Sequence, residues 1–374
     1  MMKILGIGVT AFLLFSFQQW IYRRLWDRNL KVNVDFAQSS LFEGEKGELL
    51  EVIENRKRLP LSMLKVKFQT DRNLVFGDTE GSRVTDQYYR NDVFQVGGGE
   101  KITRTLSFIG QKRGYYKING IDLVAADLFM TSEMMDSRQT DRYVYIYPRP
   151  YDSREFRLSL QQLNGEILTR RHLMEDPFEY RGIREYQPYD DMRSVNWKAT
   201  ARTDELKVNQ KNYTALQTIR IFFNTEDTGI LKKDDAVEAA LRITAGLAQF
   251  YLAQGIRVSC YGNGVDCIDG GPVEIEPSAG SGQMDRIYKA LARVDTSRPV
   301  APFAAQFRGR LLQEAQGTMT FFVAPNAYED FTAMVAEYID SGQDCVWFYP
   351  VWEKEAPLVP DRLSRYMRVI SIRK

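Results

Sequence analysis

The chain has 374 residues, 44% of them hydrophobic, which is too long for one ordinary domain and enough for two sizeable cores. A balance of 50 basic against 49 acidic residues speaks against a nucleic-acid binder, which needs a concentrated basic surface. Three cysteines (Cys260, Cys267, Cys345) and the single His172 do not make a disulfide framework or a Cys/His zinc site.

From Ile4 to Tyr22 the sequence reads ILGIGVTAFLLFSFQQWIY, without a charge. At about 1.5 Å per residue this stretch approaches the roughly 30 Å hydrocarbon core, so it predicts a transmembrane anchor over residues 1–23. Trp20 and Tyr22 suit interface positions, and Arg23, Arg24, Arg28 and Lys31 follow against the single Asp27. The basic excess after the span predicts a single-pass cell-membrane protein with a cytoplasmic body. A cleaved signal peptide is the rival reading, but no small-x-small site precedes Trp20 and the basic cluster follows the apolar run.

Residues 30–150 predict an antiparallel β-sandwich. KVNVDF, ELLEVIEN, LSMLKVKFQT, KITRTLSF, YYKINGIDLVAAD and RYVYIYP alternate apolar and polar positions, separated by turn residues. Gly97 to Gly99 precede a strand and lack phosphate-loop spacing, so they read as a hairpin loop.

Residues 151–213 read as an interdomain connection. From Asp176 to Asn209, arginines and carboxylates alternate with Tyr180, Tyr186, Tyr189 and Trp197, with no clean helical or strand period. Two readings stay open. In one, the Arg and Asp groups staple two domains together by charge-assisted hydrogen bonds around a buried Trp197. In the other, Arg, Tyr and Trp form a protein-docking patch.

Residues 214–374 predict an α/β domain with a mostly parallel sheet. TIRIFFN, IRVSCYG, TMTFFVA, CVWFYPV and MRVISIR read as strands. Asp234 to Gln254, Gln283 to Val294, Pro302 to Gln316 and Tyr328 to Ile339 read as helices between them. Gly280, Ser281 and Gly282 open one helix. They read as a cap at Ser281, or as part of a contact surface if the loop lies beside Asn224 at the top of the sheet.

The segment RGIREYQPYDDMRSVNWKATARTDELKV resembles the signature of the domain-of-unknown-function 58 family. The matching residues are Gly182, Arg184, Glu185, Tyr186, Pro188, Asp190, Asp191, Arg193, Trp197, Lys198 and Arg202, with Arg181 leading the segment. KRGYYKINGIDLVAADLF is similar to a second family landmark through Arg113, Gly114, Tyr116, Asp127, Leu128 and Phe129.

The resemblance implies an α+β multidomain chain: membrane anchor, β-sandwich, signature segment, and a von Willebrand factor A-like domain. It also implies a MoxR-type AAA ATPase as the class of protein partner. Metal-binding von Willebrand A domains use Asp-x-Ser-x-Ser after the first strand. Here Asn224-Thr225-Glu226-Asp227-Thr228 stands instead, and Pro325-Asn326 follows TMTFFVA. Asn224, Glu226 and Thr228 therefore mark a degenerate metal position.

No G-x-S-x-G elbow or other complete catalytic set is present, so no catalytic, cofactor or metal-ligand residue is assigned. The function expected is a membrane-tethered, non-enzymatic adaptor that binds a protein. The alternative is a metal-assisted hydrolase using Glu226, Asp227 and Asp190.

Overall fold

The computed structural model describes residues 2–77, 82–85, 87–172, 175–187, 190, 192–213, 218–229, 233–313, 317–352 and 360–372. It divides into two compact units: Met1–Arg149 with Tyr288–Val294, and Pro150–Ile287 with Asp295–Lys374.

In the first unit, α1 (Met2–Leu25) leads into ten strands. These are β1 (Leu30–Phe36), β2 (Ser40–Phe42), β3 (Lys46–Asn55), β4 (Leu61–Asp71), β5 (Leu74–Phe76), β6 (Ser82–Val84), β7 (Gln87–Val96), β8 (Lys101–Gly110), β9 (Gly114–Ala126) and β10 (Glu133–Tyr147). One sheet runs β1-β3-β8-β5 and the other β2-β10-β9-β4-β7-β6. The pairings are antiparallel, except that β2 joins β10 in parallel. Alternating side chains send Leu49, Ile53, Leu106 and Phe108 of the first sheet, and Val66, Phe68, Phe94 and Ile121 of the second, into one core.

Charged groups interrupt that core. The buried positions of β7 are Tyr88, Arg90, Asp92, Phe94 and Val96. Arg90 Nε donates to Asp92 Oδ2 at 2.5 Å, and Arg104 Nη1 donates to Asp92 Oδ1 at 2.9 Å. Glu51, only 1% exposed, pairs with Arg104 across β3 and β8. No donor reaches either of its carboxylate oxygens. Burial, and then the negative charge of Asp92, push the Glu51 carboxyl up to about 8, against the opposing pull of Arg104 and Arg90.

The transmembrane expectation is corrected. The helix forms, but among the described residues no helix is long and apolar enough to cross a membrane. The physical reason lies at its C-terminal end. Tyr22 is buried with Trp26 in the sandwich core, and the Tyr22 hydroxyl donates to Pro60 O at 3.0 Å. Gln18 and Gln19 donate to Asp127 and Thr131 at 2.9 and 3.0 Å. The last two turns thus belong to the sandwich, and Phe15 one turn earlier still stacks on Phe129 of the β9–β10 loop.

The second unit continues with α2 (Arg154–His172), β11 (Glu175–Glu185), a 3₁₀ turn at Met192–Ser194, α3 (Trp197–Thr203), β12 (Lys207–Tyr213), β13 (Thr218–Phe223), α4 (Asp234–Ala253), β14 (Arg257–Gly262), β15 (Val265–Asp266) and β16 (Val273–Ser278). There follow α5 (Ser281–Arg293) and β17 (Val294–Asp295), of which Tyr288–Val294 belong to the first unit, then α6 (Phe303–Leu311), β18 (Thr318–Val323), α7 (Glu329–Asp340), β19 (Cys345–Trp352), α8 (Asp361–Ser364) and β20 (Met367–Ile372). Its main sheet runs β16-β14-β13-β18-β19-β20. All neighbours are parallel except β16, which is antiparallel to β14.

Strands buried on both faces read as continuous apolar runs, as in Ile219–Phe223 and Cys345–Val351. Phe222, Phe303, Phe307, Phe322, Phe331 and Trp347 fill one core of this unit. α4 packs against β13, β14 and β19. Gly246 lets α4 approach the chain closely, since a Cβ there would lie 2.5 Å from Tyr151 O.

Candidate protein-docking site

The strand order reverses between β13 and β18, and in open α/β sheets ligands bind at the carboxyl ends of strands flanking such a reversal. Asn224 follows β13 there, 0% exposed. Its Oδ1 accepts from Glu226 N at 2.8 Å and from Asn263 Nδ2 at 2.9 Å, which fixes the orientation of the amide. Asn263 Oδ1 accepts from Thr225 N at 2.8 Å and from Thr225 Oγ1 at 3.2 Å, while its Nδ2 also donates to Ala301 O at 3.1 Å. Asn326 Nδ2 donates to Glu226 O, so two amides hold the backbone N–H and C=O of Glu226.

The carboxylates here are occupied by backbone donors. Glu226 Oε2 accepts from Phe303 N at 3.3 Å. Asp227 Oδ1 and Oδ2 accept from Gly229 N and Lys233 N at 3.2 and 2.6 Å. Thr228 N donates to the Tyr328 hydroxyl at 2.9 Å. Neutral amides thus stand where a hard cation would need carboxylates. Among the described residues no three His, Cys, Asp or Glu side chains converge.

The signature segment folds into a small module of its own. β11 and β12 form an antiparallel hairpin with Arg184 opposite Val208 and Glu185 opposite Lys207. Arg184 grips Asp190 with both ends of its guanidinium, each bond 2.6 Å, and Gln187 N adds a third donor at 2.8 Å. The Arg184 hydrogen bond holds the Asp190 carboxyl below its ordinary value. Asn196 caps α3 by accepting from Ala199 N at 3.0 Å, and its Nδ2 donates to Asn209 Oδ1 at 2.7 Å. Val195 and Val208 are buried beneath.

Trp197 opens α3 and is 62% exposed, so it is not the buried anchor of the staple reading. Ile183, Met192 and Leu206 are exposed on the same module. Tyr186 is half-buried, and Gly182, Glu185, Arg193, Lys198 and Arg202 are exposed. Pro188, Asp191 and the side chain of Arg181 lie outside the described residues.

Gly280 to Gly282 do not join the switch point. Ser278 at the end of β16 lies opposite Val258, near the start of β14, whereas Asn224 follows the end of β13. The antiparallel edge strand carries this loop to the opposite end of the sheet. The role of Asn263 was not read from the sequence. Its signal is positional: it follows β14 as Asn224 follows β13.

Fold and site define a two-unit α+β protein with a buried amide network at the strand-order reversal and a separately pinned hairpin module bearing exposed apolar groups. Residues 182–303, from that hairpin to the start of α6, match the family described as Protein of unknown function DUF58. No curated protein matches the chain. Solved structures with local similarity include the CARDB domain of a Pyrococcus furiosus protein in complex with di-metal ions (14% identity, 31% of this chain and 93% of that chain, TM-score 0.21). Others are the CaDoc0917–CaCohA2 complex (13%, 31% and 99%, TM-score 0.23) and AvmM, which catalyses macrocyclization in alchivemycin A biosynthesis (10%, 34% and 93%, TM-score 0.23).

Proposed function

We propose that this chain is a non-enzymatic adaptor that binds a protein, of the MoxR-type AAA ATPase class, through the signature module. The observation that carries the reading is Trp197, left 62% exposed on a module whose own ion pair and cap hold it in shape. Tryptophan is the residue type most enriched among interface hot spots, and a pre-shaped surface loses little entropy on binding. The Arg184–Asp190 pair is internal to the module, so its role is to shape the surface. In the same reading the α/β unit is von Willebrand factor A-like, with Thr228 and Gly229 among its exposed groups beside the switch point.

The test is a direct binding measurement between the full chain and a purified MoxR-type ATPase, repeated with Trp197→Ala. Specific binding that weakens at least roughly tenfold in the variant supports the reading. No binding, or equal binding by the variant, refutes it.

A further inference from the structure

We propose that the outer face of the larger sandwich sheet, across β6, β7, β4 and β9, binds an acidic saccharide: a pyranose ring that carries a carboxylate. The site lies wholly in the first unit and is independent of the protein-docking reading.

A recess of about 530 Å³ opens on this face, and Lys67, Gln69, Arg83, Tyr89, Asn91 and Asp122 are among its lining residues. That volume falls within the range of small-molecule pockets, roughly 300–1,000 Å³. The strand registers decide which groups meet there. Gln69 lies opposite Tyr89, and Tyr89 opposite Arg83. One row along, Asn91 lies opposite Lys67, and Lys67 opposite Asp122. Residues two apart on a strand share a face, so the two rows point the same way. That way is outward, because Phe68 and Arg90 between them are buried in the sandwich. Gly120 leaves the depression. It lies opposite Gln139, where β9 and β10 lose register, and it has no side chain to fill the space.

The polar groups of the recess are uncommitted. Two residues away on β4, Lys65 does what a surface lysine ordinarily does and pairs with Glu133 at 2.8 Å. Lys67 faces Asp122 across the ladder, yet Asp122 Oδ1 accepts from Ser137 Oγ at 2.6 Å instead. Among the described residues, the side chains of Lys67, Gln69, Arg83, Tyr89 and Asn91 have no hydrogen bond or ion pair within the protein. Tyr89 is 46% exposed and stacks on no other described ring.

Each of these groups has a counterpart in the ligand. A pyranose presents a face of C–H bonds, which packs on the open Tyr89 ring as apolar surface does. Its neighbouring hydroxyls donate and accept, as do the amides of Gln69 and Asn91. Ionised Asp122 only accepts, which suits a hydroxyl and repels a phosphodiester. Lys67 and Arg83 leave a positive excess over Asp122, and a carboxylate is an anion that the planar guanidinium fork matches. A neutral sugar would leave both cations unused, and a nucleotide would set its phosphate near Asp122.

The experiment is saturation-transfer difference NMR on the full chain, with D-glucuronate, D-glucose and adenosine monophosphate each titrated alone. It is repeated with Arg83→Gln, with Tyr89→Ala and with Lys65→Gln, a control on the same face outside the recess. Melting curves check that each variant folds. The expected result is tighter binding of glucuronate than of glucose. Arg83→Gln should raise the apparent dissociation constant for glucuronate by roughly fivefold or more, Tyr89→Ala should weaken both sugars, and Lys65→Gln should change neither. Equal dissociation constants for the two sugars overturn the acidic assignment. No transfer to glucuronate, unchanged binding by both recess variants, or an equal loss in Lys65→Gln overturns the site. Adenosine monophosphate that binds more tightly than glucuronate, and is lost with Tyr89→Ala, overturns the saccharide class in favour of nucleotides.

Discussion

Replacing Glu51 by Gln should change how the stability of the sandwich depends on pH, and should change it most in alkali. Glu51 is buried in the core with no donor to either oxygen, beside Asp92 and across from Arg104. Its carboxyl is pushed up from the ordinary 4.5 to about 8, chiefly by burial. Below the ordinary value both folded and unfolded chains hold the proton; above about 8 neither does. In the window between, the folded chain alone holds it, so the stability gained this way is fully present at low pH and is lost as pH rises through that window.

At about 1.4 kcal/mol per pH unit per proton, the window sets a ceiling of roughly 4–5 kcal/mol, and relaxation around the charge reduces the realised effect to about 2–4 kcal/mol. Gln keeps the size and loses the titration. Wild type and Glu51→Gln should therefore be similar in stability near about pH 5, with the variant gaining as the pH is raised to about 9. Urea titrations across that range, read by pulsed amide labelling of β3 and β7 peptides at one common labelling pH, measure the difference. Parallel pH profiles for the two proteins would refute the reasoning.

Trp197→Ala should leave stability within about 0.5 kcal/mol of wild type, because the ring covers no core, and thermal melts check this. Arg184→Ala should speed amide exchange across β11 and β12 while exchange in β13 and β18 is unchanged. The Asp190 carboxyl is held low by Arg184, so the wild-type protection of the hairpin should persist down to the ordinary carboxyl range and fade only as pH drops below it. Gly246→Ala should destabilise the α/β unit by about 1–3 kcal/mol, since the added methyl meets backbone at Tyr151 rather than a movable side chain. Asp127→Ala should release the β9–β10 loop from α1. The carboxyl is held at about 2 by hydrogen bonds from Thr131, Gln18 and Ser132 that outweigh its burial, so the tie should hold at neutral pH and loosen only as pH falls towards that value, as proteolysis at Phe129 would report.

Strands whose buried positions are apolar were legible in the sequence. β3 and β8 announce themselves by alternation, and β13, β18 and β19 by unbroken apolar runs. β7 was not legible, because two of its five buried positions are Arg90 and Asp92, and a charged residue reads as outward unless its partner is known. Asp92 takes Arg104 from the next strand, β8, and lies beside Glu51 of β3, and neither neighbour shows in the alternation of β7 itself. α2 was hidden for a related reason: Phe156, Leu160 and Leu163 form a thin buried stripe in an otherwise polar segment.

At the site, Asn224 was found because a strand end is a readable place, whereas the internal pairing of Arg184 with Asp190 and the exposure of Trp197 depend on a turn that spacing does not determine. The expectation of a spanning helix failed on the same point. An uncharged run looks uniform in sequence, and only the fold shows Tyr22 committed to the sandwich core.

The amide network at the switch point also governs how the protein ages. Asn263 is followed by Gly264, the pair in which a backbone nitrogen most readily attacks the side-chain carbonyl and expels ammonia. That attack requires the side chain to swing onto its own following peptide. Asn263 is held against such a swing by Thr225, Asn224 and Ala301, and it is 2% exposed. Opening this end of the sheet would free it, and the product would put a carboxylate or a lengthened backbone where the buried network now holds a neutral amide. The slow accumulation of that product is thus a clock for how often this end of the sheet opens.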